Sequence, residues 1–108
     1  MDMLDTLKTA QNALLEADLG AEVLLRGDPL PEDEARPLVI LDGITSTPYG
    51  YDQQDTTVVQ VSVYAATRTD ALALAKATKA PLRAAGLLAG QQRAAPGTDP
   101  GYITDWRM

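Results

Sequence analysis

The residues of this sequence that could do acid–base chemistry are its carboxylates. The 108 residues include no Cys and no His. A thiolate nucleophile, a disulfide, a Cys- or His-ligated metal and a Ser-His-Asp triad are therefore excluded. Neither of the two serines, Ser46 and Ser62, lies in a Gly-x-Ser-x-Gly turn. The composition favours a protein that is not an enzyme and that needs no cofactor.

Two groups of carboxylates lie close enough together in the chain to be compared with metal sites. Glu32, Asp33 and Glu34 are consecutive in a loop that contains two prolines. Hard cations prefer oxygen ligands, but adjacent acidic residues in such a loop are more typical of a solvated turn. Asp52 and Asp55 flank two glutamines and lack the Asp-x-Asp-x-Asp-Gly order of a calcium loop. We expect no metal and interpret both groups as candidate protein-interaction residues.

The polar and apolar patterns predict elements that alternate between helix and strand. In chain order they are a helix over 3–18, a strand over 21–26, a loop over 27–36, a strand over 38–44, a hairpin tip over 45–55, a strand over 56–66, a helix from Arg68, and short strands around a turn in 91–108. We therefore predict one α+β domain over 1–108. Its sheet is mainly antiparallel, with about four to five strands and a long hairpin, and is packed by two helices, one N-terminal and one after the third strand.

The two predicted helices should each bury one face. In the first helix the predicted stripe comprises Leu4, Leu7, Leu14 and Leu15, with Met3 and Ala10 at its edges and Gln11 inside it. In the second helix it comprises Ala71, Leu74, Ala75, Thr78 and Leu82. Thr67 and Asp70 have the spacing of a capping box. Pro81 should either kink the second helix or end it near Ala80.

The strands and the tail should complete the core. Val59, Val61 and Val63 alternate with polar residues, so one face of their strand should be buried and the other wetter. Leu87 and Leu88 should close the core, and Trp106 should cover its edge rather than bind a partner. Gly20 should end the first helix in the left-handed conformation.

Charge is segregated along the chain. The net charge is −6, with nine acidic and two basic residues in 1–35 but seven basic and six acidic residues in 36–108. This distribution is compatible with a soluble acidic surface, or with head-to-tail association in which an acidic patch meets a neighbour's basic one.

A basic stripe on the second helix is the candidate for the basic patch in such an association. Lys76, Lys79 and Arg83 share one side of that helix. They form either a solvated face or a contact with the acidic 28–34 loop of a neighbouring copy. Nucleic-acid binding is a poor third reading, because the chain is acidic and no aromatic residues are interleaved with the stripe.

The hairpin tip carries an aromatic cluster. Tyr49 and Tyr51 accompany Pro48 and a glycine. Tyrosines are common anchors of protein interfaces, although the tip could instead fold back and bury its own rings. We count Tyr49 and Tyr51 among the candidate interaction residues.

No segment has the pattern of a membrane span or a secretory signal. The longest aliphatic run is Leu38-Val39-Ile40-Leu41, and the N-terminus carries Asp2 and Asp5 rather than basic residues. We expect synthesis in the cytoplasm and no membrane partner.

The order of elements over nearly the whole chain supports a family comparison. The residues that carry it are Pro37-Leu38-Val39-Ile40, Val59-Gln60-Val61-Ser62-Val63-Tyr64 and Arg68-Thr69-Asp70-Ala71-Leu72, after an N-terminal amphipathic helix. This order resembles the tail-completion, or tail-terminator, proteins of long-tailed bacteriophages. Pro81 departs from the uninterrupted second helix that the family leads us to expect.

The resemblance implies a virion structural protein. Six copies would form a ring on the last ring of tail-tube protein, stop tube growth and present a surface to the head-completion or stopper protein. DNA would only pass through the channel as cargo. An acidic subunit could give the channel a lining to which DNA does not bind. The hairpin would be an assembly device that presents Tyr49 to Asp55 to a neighbour or to the tube. The alternatives are another neck-region ring protein, such as a head-side stopper or minor tail protein, and a small cytoplasmic α+β binding module or enzyme with a ferredoxin-like sheet.

Overall fold

The computed structural model of the chain describes residues 3–28, 37–46, 56–95 and 100–107. Its elements are α1 (Met3–Glu16), β1 (Glu22–Leu25), β2 (Leu38–Ser46), β3 (Thr56–Tyr64), α2 (Arg68–Ala77), α3 (Lys79–Ala84), β4 (Leu88–Ala94) and β5 (Gly101–Arg107). The predicted α+β fold is confirmed, since α2 and α3 follow one another directly as the second helical arm. The acidic loop beyond Asp28 and the hairpin tip lie outside the described residues.

The five strands form one sheet in the order β1-β2-β3-β5-β4. The β1 strand pairs parallel with β2, and the other neighbours pair antiparallel. The β2–β3 pair is the predicted long hairpin, and all nine residues of each strand take part in it, from Leu38 opposite Tyr64 to Ser46 opposite Thr56. The last strand in sequence, β5, lies between β3 and β4.

One face of the sheet, which we call the helix-covered face, carries the core. The register aligns Val39 with Val63, and Leu41 with Val61, so the alternating residues of β2 and β3 point the same way. They belong to one buried cluster with residues of the helices: Ala10, Leu14, Val23, Val39, Leu41, Val59, Val61, Val63, Leu74, Ala75, Leu82, Leu87 and Trp106. The predicted buried side of β3 is confirmed.

The opposite face, which we call the far face, is less wet than predicted. Ile40, Ser62 and Ile103 are aligned across three neighbouring strands. All three are buried, and Ser62 is almost completely so. A small side chain in a central strand is screened by the longer side chains on both sides, which alternation in one strand cannot reveal. Both faces of β2 are buried at Val39 and Ile40, as predicted.

The α1 helix is rotated relative to the predicted stripe. Ala10 and Leu14 are fully buried as predicted, but Leu4 and Leu15 are 58% and 55% exposed. Thr6 occupies the inner face instead, and Thr6, Ala10 and Leu14 follow one another at four-residue spacing. The prediction for Leu4 and Leu15 was therefore wrong, because the buried stripe is centred on Ala10, which was placed at its edge, and small or polar residues there gave a weaker signal than the leucines.

The second helical arm begins as predicted and breaks earlier than predicted. The Asp70 N–H donates to Thr67 Oγ1 at 3.1 Å, which is the expected cap. The break falls at Thr78, whose hydroxyl donates to the Ala75 carbonyl at 2.7 Å. Pro81 therefore lies in the first turn of α3, where a missing N–H costs little. Ala71, Leu74, Ala75, Thr78 and Leu82, the predicted apolar face, are all buried.

Two predictions near the chain's end were wrong. Leu87 is buried, but Leu88 begins β4, a strand at the edge of the sheet, and is 70% exposed. Trp106 is fully buried within the core rather than at its edge. Its strand, β5, is an interior strand with a partner on each side.

Candidate interaction surface

The structure describes three of the ten predicted interaction residues. Lys76, Lys79 and Arg83 lie on α2 and α3. The other seven lie outside the described residues; they are Glu32, Asp33, Glu34, Tyr49, Tyr51, Asp52 and Asp55. The candidate surface is therefore described from three features. They are the basic stripe, the segments that lead into the acidic loop and the hairpin tip, and the two edges of the sheet.

The basic stripe continues across the break between α2 and α3. Thr78 keeps helical backbone angles, so α3 continues the course of α2. Lys76 and Arg83 are exposed and Lys79 is half-buried, and within the described part of the chain none of the three forms an ion pair. The α3 helix packs against β4 and α1. The stripe therefore places positive charge beside the β4 edge of the sheet.

The outer edge of β1 is closed by two side chains. The N–H groups of Glu22 and Arg26 donate to Pro37 and Leu41, so Val23 and Leu25 direct their backbone groups away from β2. Gln11 Nε2 donates to the Val23 carbonyl at 3.3 Å.

Asp28 closes the other end of this edge. Its Oδ2 accepts the Leu25 N–H at 3.0 Å, and its own N–H donates to the Leu25 carbonyl at 3.0 Å. Three of the four outward groups of Val23 and Leu25 are thus occupied within the chain. A further strand could join this edge only by displacing these bonds.

The outer edge of β4 is open. The Ala95 N–H donates to the Gly101 carbonyl at 2.9 Å, so the backbone groups of Gln92 and Ala94 point away from β5. In the described ranges no group accepts from or donates to these outward atoms. Six of the seven residues of β4 are exposed. The sheet therefore has one closed edge and one open edge.

The base of the long hairpin forms a projecting ribbon. Pairing of β1 with β2 ends at Leu41, and pairing of β5 with β3 ends at Val58. Pairing of β2 with β3 continues to Ser46 and Thr56. We call residues 43–46 and 56–59 the hairpin arm. Its last two rows have no neighbouring strand on either side among the described residues, over about 7 Å at the usual rise per residue.

Two surface ion pairs neutralise charge near both edges. Arg26 lies 3.5 Å from Asp42, and Arg93 lies 3.3 Å from Asp105. Exposed pairs of this kind contribute little stability. The Arg93–Asp105 pair leaves β4 without uncompensated charge, because Arg93 is the one ionisable residue of that strand.

A shallow hollow lies between the end of α1 and the start of β1 and β2. Its volume is about 310 Å³, and it is lined by residues 14, 15, 18–22 and 37. Asp18 and Glu22 are its titratable residues. Across the described chain no group of three or more acidic side chains has the arrangement of a metal site. No described helix is long and apolar enough to cross a membrane.

Sequence reasoning missed both edge features. One signal was present, since Gln11 interrupts the leucine stripe of α1 and a polar residue facing inward needs a partner. The exposure of β4 had no local signal, because edge position depends on the strand order.

Two comparisons with known proteins found no relative of this chain. No protein-family model matches the chain, and no curated protein matches its sequence.

Proposed function

We propose that this chain is a virion structural protein that acts as a tail terminator of a long-tailed bacteriophage. Copies of it assemble into a ring, expected to be a homohexamer, that caps the tail tube. The ring stops tube polymerisation and presents the joining surface for the head-completion or stopper protein. DNA passes through its channel without being bound.

The observation that carries this proposal is the hairpin arm. A two-stranded ribbon without further neighbours is at best marginally stable in water. Here the ribbon runs past both flanking strands toward residues 47–55, which include Tyr49 and Tyr51. A segment with this geometry is stabilised when another protein surface covers it, as expected for an assembly device.

The distribution of charge supports self-association as the mode of assembly. The basic stripe lies on α2 and α3, and Asp28 opens the acidic segment at the far end of β1. The two charges belong to different surfaces of one subunit. A contact between unlike surfaces of two copies can repeat around a ring, whereas a contact between like surfaces ends at a dimer.

The experiment that tests this function removes the end of the hairpin. We expect a variant lacking residues 48–54 to fold, because the described helices and strands build a core cluster of their own, and to fail in completing tails when it replaces the intact protein in phage assembly. Tail length and head attachment would be scored by electron microscopy. A folded variant that still caps tails of normal length would refute the proposal.

A map of the assembled ring tests the polarity of the channel. The proposal expects the channel to be lined by acidic rather than basic side chains, since like charges keep DNA from adhering. A channel lined mainly by Lys76, Lys79 and Arg83 would contradict this expectation.

A further inference from the structure

We infer that each subunit joins its neighbour by strand addition, with the outer edge of the hairpin arm of one copy pairing with the open β4 edge of the next. This inference rests on the proposed ring and specifies the contact that builds it. The occupant of the β4 edge is a second copy of this chain, through residues 43–46.

The hydrogen-bonding groups of both edges are available. Leu41 accepts from the Arg26 N–H, so Gly43 and Thr45, which follow at two-residue spacing, direct their backbone groups to the same outer side. No described group of the same chain pairs with them there. On β4 the outward groups belong to Gln92 and Ala94. Each edge thus offers two residues with free N–H and carbonyl groups at matching spacing.

The alternative edges are less suited. The β1 edge is closed by Gln11 and Asp28, so a neighbour's β4 cannot add there without breaking existing hydrogen bonds. Pairing of β4 with β4 of a second copy would use one surface twice and would end at a dimer. Among the strands that the structure describes, the arm provides an open edge of different identity, which is what a ring requires.

Direction and register follow from the sheet. In the order β2-β3-β5-β4 every neighbouring pair is antiparallel, so β4 runs opposite to β2. Rotation about a ring axis that runs roughly along the strands keeps these directions, and the new pair is therefore antiparallel. Gly43 and Gln92 both lie in rows of the helix-covered face, opposite Val59 and Thr104. Pairing Gly43 with Ala94 of the neighbour, and Thr45 with its Gln92, keeps that face continuous.

Charge complementarity favours the same contact. The turn that contains Asp28 lies beside Leu41, immediately before the arm leaves β1. On the incoming copy, α3 packs over β4 and carries Lys79 and Arg83. The strand pairing therefore brings the part of the incoming copy that carries the basic stripe to the side of β2 on which Asp28 lies. The two joined strands carry no uncompensated charge that would disfavour their pairing, because residues 43–46 are uncharged and Arg93 is paired with Asp105.

Cysteine cross-linking tests this pairing directly, because the chain has no Cys of its own. We would mix T45C with Q92C under oxidising conditions, alone and with tail tubes. Paired strand residues bring Cα atoms within disulfide range, about 5.5 Å. We expect a two-chain product from the mixture and none from either variant alone. A chain carrying both substitutions should give a ladder whose highest rung is the number of subunits in the ring.

Two outcomes would overturn the pairing; the first leaves the proposed ring untouched, whereas the second implies a dimer. One is a multimeric protein, by mass, in which T45C and Q92C do not cross-link. The other is efficient cross-linking of Q91C with itself, which indicates that two β4 strands pair with each other. A protein that stays monomeric with and without tubes would instead refute the proposed function.

A backbone substitution provides a second, independent test. Ala94→Pro removes an outward N–H that β4 does not share with β5, so the subunit should fold. We expect it to assemble at least ten-fold more weakly than Ala94→Ser, the control that keeps the N–H. Equal assembly of the two folded variants would contradict strand addition at β4.

Discussion

Gln11 and Asp28 act on the same strand from two sides. Gln11 reaches it from α1 and binds the Val23 carbonyl, while Asp28 turns back from beyond its end and binds the Leu25 N–H. Edge strands with unpaired backbone groups are templates for unwanted association. These two side chains therefore decide which edge of the sheet is available to a partner, although neither belongs to the core.

The Asp28 carboxylate gives the first prediction. Replacement by Ala removes the acceptor of the Leu25 N–H and should lower the free energy of unfolding by about 1 kcal/mol, the usual net value of one hydrogen bond. It should also allow association through the newly opened β1 edge. Urea unfolding and sedimentation at increasing concentration measure the two effects.

Asp28→Asn is the matched control for this position, because its amide keeps an oxygen acceptor. It should resemble the original protein in both measurements. An Ala variant that behaves like the Asn variant would mean that the Leu25 N–H is adequately served by water.

At the scale of elements, the end of α3 is defined by a Schellman motif. The Leu87 N–H donates to the Leu82 carbonyl at 3.0 Å, and the Gly86 N–H donates to the Arg83 carbonyl at 3.0 Å. Gly86 has a φ of 98°, and both Leu82 and Leu87 are buried. This turn sends the chain from α3 into β4, so it positions the open edge.

Gly86→Ala should therefore destabilise the protein through backbone strain. Apart from its chain neighbours, no atom of the described residues lies within 4 Å of a Cβ added at Gly86, so the expected effect comes from the backbone conformation. The left-handed conformation costs about 1–2 kcal/mol for a residue with a Cβ, and the thermal midpoint should fall accordingly. Ala85→Gly, one residue earlier and at a negative φ of −80°, is the comparison. A Gly86→Ala variant as stable as the original protein would contradict the assigned turn.

The sequence predicts where most of the helices and strands lie, but not which strands are neighbours in the sheet. The alternation of Val59, Val61 and Val63 and the Thr67–Asp70 cap are local patterns, and both are confirmed. Leu88 and Trp106 were misplaced because their burial depends on strand order, in which β5 is inserted between β3 and β4. Local patterns carry no information about such an insertion.

The candidate surface was predictable to the same extent. Helical spacing was enough to find Lys76, Lys79 and Arg83 on one side of the second arm. The closed and open edges required the register of four strand pairs and the hydrogen bonds of Gln11 and Asp28. They are properties of the folded sheet rather than of any segment.

For the whole molecule, the separation of charge predicts how assembly responds to substitution. Reversal of the basic stripe in the triple variant Lys76→Glu, Lys79→Glu, Arg83→Glu should leave the fold nearly unchanged, since surface substitutions usually shift stability by less than about 0.5 kcal/mol. Assembly should weaken strongly, because the stripe would face a neighbour's acidic segment with like charge. Sedimentation and circular dichroism measure the two effects.

Two controls separate this effect from a general change in net charge. Arg68→Glu changes an exposed cation of α2 outside the stripe and should assemble normally. Raising the salt concentration should weaken assembly of the original protein in the same direction, because salt screens exposed charges. Assembly of the triple variant at the original strength would contradict a role for the stripe.

The central claim is that this subunit works by joining copies of itself at the end of a tail tube. The most direct measurement is the mass of the protein in solution, with and without purified tail tubes of the same virus, followed by negative-stain imaging. We predict a ring whose mass is about six times the 11.5 kDa of one chain, either free or formed on tube ends. A protein that remains a monomer or dimer in both conditions and leaves the tube ends bare would contradict the claim.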